Sequence, residues 1–204
     1  MLRVGLTGGY ATGKSFVAAE LEELGCHVIY ADRLGHQTLM PDGEAYSPVV
    51  SLFGSRILDS SGTIDRKKLG ALVFNSPDLL QQLSQIVHPA VFKLEEEAMN
   101  GFSQQDPRGI AVVEAAILIE TGRWLDYDRL MVTVCSLETQ VTRGMKRDGL
   151  TREQVLQRVN RQMPLEEKRR LGHYVVDTDG PKESTIRQVR EIFRDLKTVA
   201  VQNS

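Results

Sequence analysis

The sequence predicts an α/β protein, a five-stranded parallel sheet covered by helices on both faces, and three observations carry that prediction. Short apolar, β-branched runs alternate with helical patterns. A glycine-rich turn follows the first run at once, where a strand hands over to a helix. A long helical stretch without strand character interrupts the alternation after the second run. At 204 residues and 41% hydrophobic content the chain can bury a full core as one domain with an insertion.

The first run, Leu2–Leu6, leads into Gly8-Gly9-Tyr10-Ala11-Thr12-Gly13-Lys14-Ser15, which spells G-x-x-x-x-G-K-S. Such a loop curls several backbone N–H groups around one anion, and the helix expected from about Lys14 adds the positive end of its dipole. Lys14 is then expected on the β/γ-phosphates of a nucleoside triphosphate and the Ser15 hydroxyl on Mg²⁺. Phe16, Val17, Ala18, Leu21 and Leu24 recur at helical spacing, and Gly25 fits the helix end. The second run, His27–Ala31, closes a βαβ unit and is expected beside the loop. Asp32 follows it, placed to take the proton of an attacking hydroxyl or to hold that hydroxyl in line; the plainer alternative is a cap on a helix starting near Arg33.

Between Leu39 and Gly101 helical segments are punctuated by Pro41-Asp42-Gly43, Asp59-Ser60-Ser61-Gly62, Asn75-Ser76-Pro77-Asp78 and His88-Pro89. This reads as an acceptor-binding insertion, and its size suits a sizeable acceptor. His88 is expected at a helix boundary. The third run, Ile110–Ala115, contains Glu114, an acid in Walker B-like surroundings that is expected to hold a Mg²⁺-bound water. Glu120, six residues on, orients the same region or lies on a helix surface. Trp124 reads as a core or rim residue. The fourth and fifth runs are Arg129–Cys135 and Tyr174–Asp177.

From Arg143 to Arg170 nine basic residues stand against four acidic ones in a chain whose net charge is −2. Thr151-Arg152-Glu153-Gln154 and Met163-Pro164 with Glu166 and Glu167 signal two helix starts, so the segment reads as an arginine-bearing helical lid over phosphates. The core is then assigned to about 1–38, 102–142 and 173–204, the insertion to about 39–101 and the lid to about 143–172. The overall charge gives no field toward nucleic acid or membrane. His27, His36, His88 and His173 lack metal-ligand spacing. Cys26 and Cys135 read as reduced, buried thiols. No apolar run is long enough for a membrane span, and a loop beginning at residue 8 leaves no room for a signal peptide, so a cytoplasmic location is expected.

Taken together the parts resemble the dephospho-coenzyme A kinase family over nearly the whole chain. The likeness runs through Gly5-Leu6-Thr7-Gly8-Gly9, Gly13-Lys14-Ser15, Ala31-Asp32, Asp65-Arg66-Lys67-Lys68-Leu69, Val73-Phe74, His88-Pro89 and Leu118-Ile119-Glu120. It continues in Glu138-Thr139-Gln140, Arg143, Arg147-Asp148, Arg158, Gln162-Met163-Pro164 and Tyr174-Val175-Val176-Asp177. The resemblance implies transfer of the ATP γ-phosphate to the ribose 3′-hydroxyl of dephospho-CoA. On that mapping Asp32 is the base or hydroxyl-orienting group, with Lys14, Arg143 and Arg147 as catalytic cations. The nucleotide contacts are Gly8, Gly9, Ala11, Thr12, Gly13, Lys14, Ser15 and the backbone of Phe16, and the metal contacts are Ser15 and Glu114. A monomer is favoured. Four positions depart from the family's usual residues: Phe16 for Thr, Tyr30 for Asp, Ala116 for Pro and Thr178 for Asn, the last clouding any adenine contact. Rival readings are another small-molecule kinase, an RNA-binding surface, and a GTPase, for which Asp59-Ser60-Ser61-Gly62 matches D-x-x-G but no N-K-x-D follows.

Overall fold

The computed structural model describes residues 1–74 and 76–202, so the turn expected at Asn75 lies outside the described residues. The five apolar runs become strands β1 (Leu2–Gly8), β2 (His27–Tyr30), β3 (Ile110–Glu114), β4 (Arg129–Val134) and β5 (Tyr174–Asp177). They form one parallel sheet in the order β2-β3-β1-β4-β5. Every residue of β3 and all but the first of β4 are buried, as a covered parallel sheet requires. The sheet order corrects one expectation: β3 stands between β2 and β1, so Glu114, not Asp32, ends the strand next to the loop-bearing β1. The register pairs Leu6 with Glu114.

The chain divides into two compact units, Met1–Ile29 with Gly101–Ser204, and Tyr30–Asn100. In the first, α1 (Lys14–Glu23) and α9 (Lys182–Gln202) pack on each other and on β1 and β3. Val17, Ala18 and Leu21 supply the buried side of α1, and Gly25, at φ 99°, turns the chain out of the helix into β2. Then α6 (Leu137–Asp148) begins on a Ser136 cap whose hydroxyl accepts the Thr139 N–H, and it ends at Gly149, φ 66°. The next helix, α7 (Arg152–Val159), opens with a full capping box between Thr151 and Gln154, as its sequence signals. Last of the three is α8 (Leu165–Leu171), which starts after Pro164 and packs on β1 and β4.

The second unit holds α2 (Ala31–Thr38), α3 (Tyr46–Phe53), α4 (Arg66–Phe74) and most of α5 (Pro77–Gln105). Its own core gathers Val49 and Phe53 of α3, Leu69 and Val73 of α4, Ala90 of α5, and Ala45, Ile57 and Ile64 from the connections. In the Asp59–Gly62 turn the Asp59 carboxylate accepts the Ser61 hydroxyl and the N–H groups of Ser61 and Thr63, which makes D-x-x-G here a local turn; the Ser61 hydroxyl, then the Thr63 N–H, lower its pKa. His88-Pro89 does not end a helix. Pro89 lies inside the 29-residue α5, where its missing N–H leaves the Gln85 carbonyl without that partner. The loss is offset by the burial of Ala90 and Val91 beside it. His88 is therefore a mid-helix, half-buried residue beside Phe92, its pKa lowered by burial.

Candidate active site

The turn from β1 into α1 is shaped as the glycine spacing demands. Gly13 has φ 84°, and Ala11, at φ 58°, is the one non-glycine residue with positive φ among the described residues. Alternation of that kind points successive N–H groups inward and forms an anion nest. At Gly8 the constraint is space: a Cβ there would stand 2.2 Å from the Thr133 Oγ1. Two buried threonines brace the loop, Thr12 donating to the Gly9 carbonyl at 2.9 Å and meeting Thr133 hydroxyl to hydroxyl at 2.7 Å.

This loop opens onto a cleft of about 480 Å³ lined by Ala11, Thr12, Gly13, Lys14, Ser15, Phe16, Arg143, Lys146 and Arg147. Among the described residues four cations and no carboxylate line it, a setting suited to a polyphosphate. The structure thus brings together most of the expected nucleotide contacts and both expected arginines, and adds Lys146. Gly9 lines a neighbouring cavity of about 650 Å³, with Cys135, Gln140, Met163 and Leu165 among its walls. The Lys14 Nζ donates to the Gly9 carbonyl at 2.9 Å. The Phe16 ring lies 5.5 Å under the Lys182 ammonium.

Arg143 and Arg147 both project from α6, one turn apart, and each is held by a different partner. The Arg143 guanidinium donates to the Thr178 hydroxyl at 2.9 Å and to the Thr178 carbonyl at 2.5 Å. The same hydroxyl lies 2.9 Å from the Thr12 carbonyl and 3.2 Å from that of Val134. Thr178 is thereby a buried tie between the loop and the arginine. Arg147 forks onto the Asp148 carboxylate, which also takes Arg158 at 3.4 Å and the Tyr10 hydroxyl. The Arg147 guanidinium beside it holds the Asp148 carboxyl down at about 2.

Glu114 is 5% exposed at the carboxyl end of β3, while Ser15 is exposed in the first turn of α1. Among the described residues no group of three or more His, Cys, Asp or Glu side chains is arranged to hold a metal. A hydroxyl and a carboxylate are nevertheless the hard oxygen donors that suit Mg²⁺, an ion that keeps several waters and relies on substrate phosphates. Glu120 is not a free surface acid: its Oε1 lies 2.7 Å from the Lys168 Nζ and accepts the Met163 N–H at 3.1 Å.

Asp32 belongs to the second unit, exposed in the first turn of α2. It does not cap that helix, which starts at Ala31 with Tyr30 as its N-cap residue and no side-chain cap bond. Its neighbours in this unit include His36, one turn on, whose ring Nδ1 lies 3.2 Å from the Arg66 Nη1. Burial and the Arg66 charge lower the His36 pKa, and the Asp32 charge opposes them. Of the remaining histidines, His173 accepts the Leu130 N–H through Nδ1 at 3.0 Å and His27 stacks on Phe102. Cys26 is buried and its thiol is pushed up to about 12, an inert group. Cys135 is only half-buried, against expectation, because it borders the larger cavity.

Sequence reasoning missed Thr178 and Lys168 as structural partners of the loop. Both are joined to it across more than 150 residues, and no local pattern marks such bonds.

Comparison with known proteins bears on these observations. A sequence model described as dephospho-CoA kinase matches residues 2–183. A dephospho-CoA kinase of Geobacter sulfurreducens is 42% identical over 190 residues, covering 93% of this chain and 96% of that protein. One from Aquifex aeolicus is 38% identical over 196 residues, covering 96% and 98%. The crystal structure of TT1252 from Thermus thermophilus superposes with a TM-score of 0.81 at 32% identity, covering 96% of this chain and 97% of that one. With a phosphate loop, a cationic cleft and relatives matched nearly end to end, the chain belongs to the dephospho-CoA kinase family.

Proposed function

We propose that the cationic cleft of the first unit holds the triphosphate of ATP while Asp32 directs the acceptor hydroxyl. As a member of its family the chain is an ATP-dependent kinase, and the reaction is transfer of the γ-phosphoryl group to the ribose 3′-hydroxyl of dephospho-CoA, giving coenzyme A and ADP. A bond forms between the 3′-oxygen and the γ-phosphorus, the bridging bond to the β-phosphate breaks, and the hydroxyl proton leaves to Asp32 or through it to water. The observation that carries the reading is the cleft itself, with four cations around an anion nest and no acid among the described residues that line it.

In that reading the nest amides and Lys14 grip the β- and γ-phosphates, while Arg143 and Arg147 meet charge that spreads onto the equatorial oxygens. Thr178 and Asp148 aim those two arginines. The loose transition state asks for little proton removal early on, so Asp32 works chiefly by orienting the alcohol. Ser15 would hold Mg²⁺ directly and Glu114 would hold one of its waters; when bound, that ion neutralises charge on the β- and γ-oxygens. We assign residues 143–172 as a lid over the nucleotide and about 39–101 to the acceptor. The proposed set comes from one chain, which a monomer satisfies. Among the described residues no helix is long and apolar enough to cross a membrane, and we infer a cytoplasmic location with neither nucleic acid nor membrane as partner.

A coupled ADP-release assay tests the reading. ADP release is expected to depend on dephospho-CoA and to rise with added Mg²⁺. Release that needs some other alcohol, or that ignores dephospho-CoA, contradicts it.

A further inference from the structure

One lysine near the loop is not in the phosphate cleft. Lys168 lies in α8 with its side chain 0% exposed. An ammonium at such depth persists only where its protons find acceptors and its charge finds a partner. Here Nζ lies 2.7 Å from the Glu120 carboxylate, 2.8 Å from the Ala116 carbonyl and 3.4 Å from the Gly8 carbonyl. These acceptors have separate origins. Gly8 is both the last residue of β1 and the first of the phosphate loop; Ala116 and Glu120 follow β3. The Ala116 carbonyl also accepts the Thr7 hydroxyl at 3.3 Å, and Glu120 also accepts the Met163 N–H just ahead of α8. One buried charge therefore ties together the entry to the loop, the turn beyond Glu114 and, through Glu120, the connection between α7 and α8 that carries Met163.

We propose that Lys168 is a positioning residue for phosphoryl transfer, fixing the first glycine of the phosphate loop against the α7–α8 segment through the Gly8 and Ala116 carbonyls. It touches no substrate. The nest must present its amides at a set spacing, and its entry carbonyl faces, at 3.4 Å, an ammonium anchored by its shorter bonds to the Ala116 carbonyl and the Glu120 carboxylate. Lysine suits the place because a compact point charge serves three converging acceptors, which a planar guanidinium would not. The proposal rests on the reading of the 480 Å³ cleft as the ATP site.

The test compares Lys168→Met, Glu120→Gln and the double variant by thermal unfolding, ATP titration and steady-state kinetics with each substrate varied. Replacing Glu120 together with the buried Lys168 leaves neither charge without its partner, so the double variant is expected to unfold near the wild-type temperature. Its kcat/KM for ATP is nevertheless expected to fall about 100-fold, with KM for dephospho-CoA within about twofold, because loop geometry and not acceptor binding is lost. Wild-type kcat/KM for ATP in Lys168→Met, or kinetics that recover together with stability in the double variant, would overturn the proposal by showing a merely structural role. Should the Lys168 variants fail to fold, Glu120→Gln alone is expected to lose about tenfold in kcat/KM for ATP, and unchanged kinetics there would overturn it equally. Wild-type protein that neither bound ATP nor turned over would overturn the underlying reading of the cleft, and the proposal with it.

Discussion

The two compact units differ in what holds them together and in what they offer a ligand. The first, Met1–Ile29 with Gly101–Ser204, is organised by three central strands, β3, β1 and β4, buried nearly throughout, and faces its cleft with Lys14, Arg143, Lys146 and Arg147. The second, Tyr30–Asn100, gathers a core from helices and carries nine acidic residues against six basic ones. Its own surface hollow, about 210 Å³, mixes Asp42, Glu44 and Glu97 with Lys93, which pairs with Glu44 at 2.8 Å. In the proposed reading the four cations of the first unit's cleft hold a polyphosphate, and the second unit contributes shape and a single directing carboxylate. A donor bound by charge and an acceptor bound mainly by fit respond to different perturbations.

The sharpest contrast comes from Lys14→Ala. Removing a preorganised cation from the nest is expected to lower kcat/KM by about 10²–10³-fold while the unfolding temperature stays put, as kinetics beside a thermal melt would show. The second unit should answer the other way. Phe53→Ala empties a site that is 3% exposed in its helical core and is expected to cost about 3–5 kcal/mol of stability, read by denaturant unfolding. If the two variants exchanged signatures, the division of labour would fail.

A smaller effect is expected at Thr178→Val. It removes the hydroxyl that joins Arg143 to the Thr12 carbonyl, and a loss of about 1–3 kcal/mol in ATP binding is predicted, measurable by titration. Asp148→Asn sharpens the pH behaviour. Because the folded carboxyl sits at about 2, below its usual value of 3.8, its contribution to stability is present above the usual value and fades as pH falls from near 4 toward 2. Wild-type and variant melts should therefore differ at neutral pH and converge at the acid end of that window; a constant difference across it would remove Arg147 as the cause.

Much of the first unit was legible in sequence because its constraints are local. The alternation of runs fixed five strands to within a residue or two at their ends, and the glycine spacing located the loop, since only a short list of backbone shapes satisfies it. Thr151-Arg152-Glu153-Gln154 announced α7 because a capping box is closed within four residues. Where pattern and packing compete, the reading failed: Pro89 breaks the local rule, yet α5 runs through it on the strength of its buried neighbours. Strand order was equally hidden, because the insertion separates β2 from β3 and nothing in either run says which will lie next to β1. Lys168 was one of nine basic residues in a charged stretch, and only its depth, supplied by β1 and β4, sets it apart from the others.

The most direct measurement is turnover and ATP affinity taken together on Asp32→Asn. The amide keeps the shape but cannot take a proton and aims the hydroxyl poorly, so kcat should fall by about 10²–10⁴-fold while the ATP dissociation constant stays within about twofold of wild type. Unchanged turnover, or a loss of ATP binding that matches the loss of rate, would contradict the assignment of Asp32 to the acceptor.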